Sequence, residues 1–232
     1  GGTVRIAAVP IAKQDLTQLI KYQIHKLEQV GVEVLLNTEI TPDIIKEQYG
    51  DYEIVLCGGS TPIVPCFMTE FKDYMTADDV LYGRKFPGRK IVIIGGGSVG
   101  CETADYLAPI VNDRFPRNRE ITLIEMTHEI MANESGPGRS LLAQRMMGKG
   151  IQIICDAKVE KVSNDTIQYS KNGADYEITD ADTLVLAMGY RPNVTLQEQL
   201  TDAGVAYTVL GDCNKLGNIK DAISAGYEFA RT

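Results

Sequence analysis

Between Asp15 and Val30, apolar residues fall at Leu16, Leu19, Ile20, Ile24 and Leu27. That spacing predicts one face of a helix, and Gly31 supplies the stop signal. The period then shortens. Val32–Leu36 reads as a strand, Thr41-Pro42 opens a short helix to about Gln48, and Tyr52–Cys57 reads as a second strand. Gly58-Gly59-Ser60-Thr61-Pro62, followed by Pro65, is loop chemistry. A polar connector over 68–88 carries a short helix near 76–81.

From Arg89 the pattern becomes regular. Strand 90–94, helix 98–108, strand 121–125, helix 138–147 and strand 151–155 alternate, which predicts parallel strands joined by right-handed crossovers. Lys158–Val162, Thr166–Ser170 and Asp175–Ile178 follow as short runs separated by Asn164-Asp165 and Asn172-Gly173. Asn-Gly is a strong hairpin signal, so these runs predict an antiparallel meander. Strand 183–187 closes the unit. The tail holds a short helix over Leu196–Leu200, a strand over Val205–Leu210, the loop Gly211-Asp212-Cys213 and a helix over Ile219–Arg231. The fold class is therefore α/β and Rossmann-like, with a complete domain over 89–187 inserted into a second made of 1–88 and 188–232. That second domain starts in a loop and lacks a strand–glycine loop–helix of its own.

Composition narrows the function. The chain has 232 residues, 44% hydrophobic and 23% charged, which fits a soluble globular protein. A net charge of −8 argues against a nucleic-acid partner. No apolar run approaches the roughly 20 residues of a membrane span. Five dispersed cysteines (Cys57, Cys66, Cys101, Cys155, Cys213) form no CxxC pair. They predict reduced thiols in a cytoplasmic setting, not a disulfide framework or a metal site. With two histidines, His25 and His128, and no HExxH or GxSxG, hydrolytic chemistry finds no support. A homo-oligomer stays open.

The chemistry concentrates at Gly95-Gly96-Gly97-Ser98-Val99-Gly100, which follows the apolar run Ile91–Ile94 and opens a helix. In a dinucleotide site Gly95 makes the tight turn, Gly97 admits the pyrophosphate, and Gly100 lets helix and strand pack closely. The backbone N–H groups at Ser98 and Val99 meet the phosphates, helped by the helix dipole. Glu125 ends the next strand of this unit, 25 residues beyond Gly100. The usual spacing is near 20, and the excess lies in the polar insert 109–120, with Asp113, Arg114, Arg117 and Arg119. An acid there accepts from a ribose 2′-OH and repels a 2′-phosphate, which favours NADH over NADPH. Nearby His128 and plain solvation of the carboxylate weigh against that reading. Glu102 on the first helical turn either approaches the nicotinamide or complements the helix dipole. Asp212 either binds a polyol hydroxyl or caps a turn. No side chain reads as a catalytic acid, base or nucleophile.

Gly1-Gly2-Thr-Val-Arg5 through Pro10 with Lys13, Cys57-Gly-Gly-Ser-Thr-Pro62, the glycine fingerprint, Leu186-Ala-Met-Gly-Tyr-Arg-Pro-Asn193 and Gly211-Asp-Cys213 occur in one order. Over essentially its whole length the chain thereby resembles the C-terminal half of the dienoyl-CoA reductase and trimethylamine dehydrogenase branch of the Old Yellow Enzyme-like flavoproteins. The resemblance implies an NADH:flavin oxidoreductase. Gly1, Gly2, Arg5, Gly58, Gly59 and Asp212 would lie near FAD; Gly95 to Gly100, Glu125 and Gly189 would surround NAD(P)H. It also implies a longer parent, in which an FMN barrel, an iron–sulfur cluster and the first FAD-binding βαβ precede Gly1. There electrons pass from FAD through the cluster to FMN and a substrate such as an activated alkene. Two alternatives stand beside this: a pyridine-nucleotide disulfide reductase relative, and a non-catalytic adenine-nucleotide-binding module.

Overall fold

A computed structural model describes residues 2–68, 71, 74–108, 119–163 and 166–231. Gly1, most of the polar insert with Asp113, Arg114 and Arg117, and the Asn164-Asp165 turn lie outside the described residues. The described chain forms two compact units: 1–5, 16–61 and 190–232 make one, while 6–15 and 62–189 make the other.

The second unit is built on strands β1 (Tyr74–Thr76), β2 (Lys90–Ile94), β3 (Glu120–Ile124), β4 (Gln152–Ile154), β5 (Ala157–Ser163), β6 (Thr166–Lys171), β7 (Ala174–Ile178) and β8 (Thr183–Leu186). Its helices are α1 (Ala77–Leu81), α2 (Ser98–Leu107) and α3 (Pro137–Gly148). A five-stranded parallel sheet runs in the order β1-β8-β2-β3-β4. Apart from Lys90, every residue of β2 and β8 is buried, as expected of strands covered on both faces.

One face of that sheet packs Ile91, Ile93, Leu123 and Val185 against Cys101, Ala104 and Leu107 of α2 and Leu142 and Met146 of α3. The other packs Val92, Ile94, Ile124, Leu184 and Leu186 against Val159, Val162 and Ile167 of the antiparallel β5-β6-β7 meander. Three layers result: helices, parallel sheet, meander. Asn172 and Gly173 both take positive φ, 53° and 77°, as the Asn-Gly hairpin signal requires. Asp182 secures the entry to β2, accepting from the backbone N–H groups of Arg89 and Lys90 at 2.9 Å each.

The unit boundary departs from the expected 88/89 and 187/188. Tyr74–Thr76 hydrogen-bonds to β8 as an edge strand, and Ala77 and Val80 join the core, so the connector packs with the nucleotide-type unit. A strand of three residues with only Met75 buried leaves no alternation to detect.

The first unit keeps its expected helices at Leu16–Gln29, Pro42–Gln48, Thr195–Asp202 and Ile219–Phe229. Its sheet is slight. Val55–Leu56 pairs in parallel with Thr208–Val209, and Ser60–Pro62 pairs with Tyr190–Pro192 inside what reads as loop. Ile45, Leu56 and Leu200 centre its core. Two expectations fail here. Val32–Leu36 is not a strand: its side chains are exposed, and among the described residues no strand pairs with it. A strand gains stability only from a neighbour's ladder and a covered face. Gly2–Ala7 is a six-residue helix, not a loop; a segment so short shows no period. Among the described residues no helix is long and apolar enough to cross a membrane.

Candidate functional site

The chain leaves β2 and enters α2 through the glycine loop, where backbone sterics decide the sequence. Gly95 has φ +105°, and a Cβ on it would meet the Ala187 carbonyl oxygen at 2.3 Å. A Cβ on Gly100 would lie 1.9 Å from the Gly95 carbonyl oxygen, so α2 approaches the turn as closely as bare backbone allows. Gly97 is different. A Cβ there would meet no protein atom within 4 Å, and the residue lines an open cavity of about 370 Å³. As N-cap of α2, Gly97 contributes no side-chain acceptor. The first N–H groups of the helix therefore face outward without a cap, the arrangement that receives a phosphate. Val99 packs its side chain into the core and offers the site only backbone.

Glu125 stands one residue past β3 and lines the same cavity as Gly95, Gly97 and Gly189. Its carboxylate is fixed, not loosely solvated. Oε2 accepts from the Gly96 N–H at 2.5 Å, and Oε1 accepts from the Thr127 N–H and hydroxyl, each at 2.8 Å. A Cβ on Gly96 would collide with Glu125 Cβ at 2.8 Å, so the loop and the acid fit one another. Two carboxylate oxygens offer about four lone-pair positions, and capacity remains for a ligand hydroxyl. Met126, Val159 and Met188 add apolar lining. His128 points to Asp156, with Nδ1 at 3.1 Å from Oδ2, on the exposed surface.

Ser98 and Glu102 turn instead to a second cavity of about 310 Å³, beside α2 and α3. Glu102 is ion-paired with Lys13 and largely covered. The Ser98 hydroxyl donates to Glu134 at 2.6 Å. Lys13 comes from the segment that carries the family resemblance, but its pairing across 89 positions has no sequence signal.

The residues expected near flavin fall in the other unit. Gly58 and Gly59 are held by Asn193, whose N–H donates to the Gly59 carbonyl at 3.1 Å. Gly58, Asn193 and Cys213 line a groove of about 680 Å³. Asp212 accepts from the Gly217 N–H at 3.1 Å, the turn-capping role. Gly2 and Arg5 are exposed on the short helix, away from that groove's lining. Gly1 is outside the described residues.

Two further features bear on the site. Cys101 on α2 is buried, and that burial, with Glu125 and Glu102 nearby, pushes its thiol up to about 12. A thiol so high is not a nucleophile near neutral pH. Asp105, one turn further along α2, has no exposed side-chain surface and accepts from Arg145 and Lys149 at 2.9 Å each. Arg145 lies in the last turn of α3 and Lys149 is its C-cap, and the carboxylate they share across 40 and 44 positions has no signal in the sequence.

Known proteins resemble this chain along nearly its whole length. A family profile described as pyridine nucleotide-disulphide oxidoreductase matches residues 45–214. Cinnamate reductase of Clostridium sporogenes is 32% identical over 235 residues, covering 100% of this chain and 34% of that protein. Bilirubin reductase of Mediterraneibacter gnavus is 28% identical over 228 residues, covering 98% and 34% respectively. Among solved structures, a 2-naphthoyl-CoA reductase complex superposes with a TM-score of 0.84 at 24% identity, over 98% of this chain and 34% of that one, which shows a shared fold. This chain thus spans about a third of the length of these relatives. Fingerprint, three-layer unit and matches converge: the chain belongs to the pyridine nucleotide-disulphide oxidoreductase family.

Proposed function

We propose that this chain is the NAD(P)H- and FAD-binding portion of a flavin-dependent reductase, with NADH the preferred donor. The observation that carries the proposal is the open cradle at Gly97, flanked by the uncapped start of α2 and the fixed carboxylate of Glu125. When bound, the two dinucleotides would supply hydride transfer from nicotinamide to flavin, and the onward reduction would belong to parts of the parent outside this chain. The chain's own residues bind and orient. Backbone N–H groups at Ser98 and Val99 hold pyrophosphate; Glu125 accepts from the adenosine ribose; Glu102, fixed by Lys13, faces the nicotinamide. Gly2, Arg5, Gly58, Gly59 and Asp212 form the chain's share of the FAD surface.

The relatives' names support a reductive parent. Cinnamate and bilirubin reductases match the chain along nearly its whole length, whereas a dihydrolipoyl dehydrogenase matches 60% of it. We therefore place the chain in a longer, cytoplasmic polypeptide whose other parts carry the first FAD-binding βαβ, an FMN barrel and an iron–sulfur cluster acting on an enoate- or enoyl-type substrate. A disulfide reductase finds less support, because Cys101 and Cys213 are buried and the thiols form no CxxC pair. Anaerobic mixing of the longer polypeptide with NADH tests the reading. Bleaching of the flavin absorbance is expected; nucleotide binding without any flavin reduction would leave only a non-catalytic binding module.

A further inference from the structure

Glu134 is not used by any step above, yet it stands at the start of α2. Its carboxylate accepts from the hydroxyl of Ser98, the first residue of that helix, at 2.6 Å. The segment that delivers it is tied to the glycine loop itself. The Met131 N–H donates to the Gly96 carbonyl at 2.7 Å, and the Glu134 N–H returns to the Met131 carbonyl at 2.9 Å. Met131 is buried and takes φ +51°, so this turn is held by its surroundings and not by local preference.

The charges around Glu134 are otherwise matched. In the cavity it lines, Lys13 pairs with Glu102, Arg139 with Glu129 at 2.5 Å, and Arg145 with Asp105 at 2.9 Å. Among the described residues Glu134 has no cationic partner. Its charge is balanced by the Ser98 hydroxyl and the positive end of α2, which carries no side-chain cap. The pyrophosphate of a dinucleotide seeks that same helix end, and like charges so placed repel.

We propose that Glu134 is an affinity-limiting residue of the dinucleotide site: its carboxylate, held by Ser98 at the start of α2, is a like charge beside which the pyrophosphate of a dinucleotide must bind. The inference rests on the dinucleotide reading of that site. It makes Glu134 a determinant of how readily the oxidised nucleotide leaves, since weaker phosphate binding shortens residence.

Calorimetric titration of the full chain tests this with NADH and with ADP-ribose, which keeps the pyrophosphate but lacks nicotinamide. Glu134→Gln retains an acceptor for Ser98 and removes the charge. It is expected to tighten both ligands by about tenfold, with a gain that shrinks as salt rises. Glu134→Ala should tighten them similarly. A neutral Glu134→Gln together with a weakened Glu134→Ala would show a loop brace and overturn the inference. Glu125→Ala is the control for the underlying site: if it weakens NADH while Glu134→Gln changes nothing, the dinucleotide reading stands and the role of Glu134 falls. If NADH binds no variant and not the unaltered chain, both fall together.

Discussion

Replacing Gly100 by alanine is expected to lower NADH affinity on the order of a hundredfold, about 2.7 kcal/mol, and to lower the melting temperature as well. The new methyl would lie 1.9 Å from the Gly95 carbonyl oxygen and 3.2 Å from Ala187 Cβ. The first of these is backbone and cannot rotate away. Either α2 retreats from β2 or the turn at Gly95 opens, and both movements re-aim the N–H groups that face the phosphates. Overpacking of this kind costs about 1–3 kcal/mol of stability. Gly97→Ala separates the two effects. Its Cβ meets no protein atom, and the backbone at φ −68° accepts any residue. Stability should therefore hold while NADH affinity falls. Thermal melts beside calorimetry check both variants, and unchanged NADH affinity in Gly97→Ala would show that the space is not a phosphate cradle.

Asp105→Ala is expected to give the largest loss of stability of any single change in this unit, about 3–5 kcal/mol. The Asp105 side chain has no exposed surface, and Lys149, 9% exposed, also donates to its backbone carbonyl at 2.7 Å. Removing the carboxylate leaves the nearly buried Lys149 ammonium without its counter-ion, beside an Arg145 guanidinium that is itself 35% exposed. Because a buried unpaired charge is the source of the penalty, a second variant isolates it. Asp105→Leu combined with Arg145→Met and Lys149→Met should recover most of the lost stability. Denaturant unfolding measures both, and a loss below about 1 kcal/mol for Asp105→Ala would mean that the carboxylate is not the counter-ion holding the helices together.

Much of the second unit was legible because its signals are local and mutually consistent. Ile91–Ile94 running into the glycine loop specified strand, turn and helix at once, and Asn172-Gly173 specified its hairpin. The distance constraints on Gly95 and Gly100 match the mechanical roles their positions imply. What escaped was non-local. Nothing in the spacing of Lys13 and Glu102, or of Asp105 and Lys149, shows that they meet. The edge strand Tyr74–Thr76 is defined by hydrogen bonds to β8 and not by its own three residues. Val32–Leu36 failed for the opposite reason: strong β-forming composition, with no ladder to join among the described residues. Glu125 was found as an acid at a strand end, but its fixed geometry depends on Gly96 and Thr127, which approach it only in the fold.

The most direct measurement is a calorimetric titration of this chain with NADH and then with NADPH at one ionic strength. With Glu125 held by Gly96 and Thr127 at the edge of the cavity, NADH should bind at least several-fold more tightly, and Glu125→Ala should narrow the gap. Equal affinities, or tighter binding of NADPH, would contradict the assignment of Glu125 to the ribose and with it the preferred electron donor.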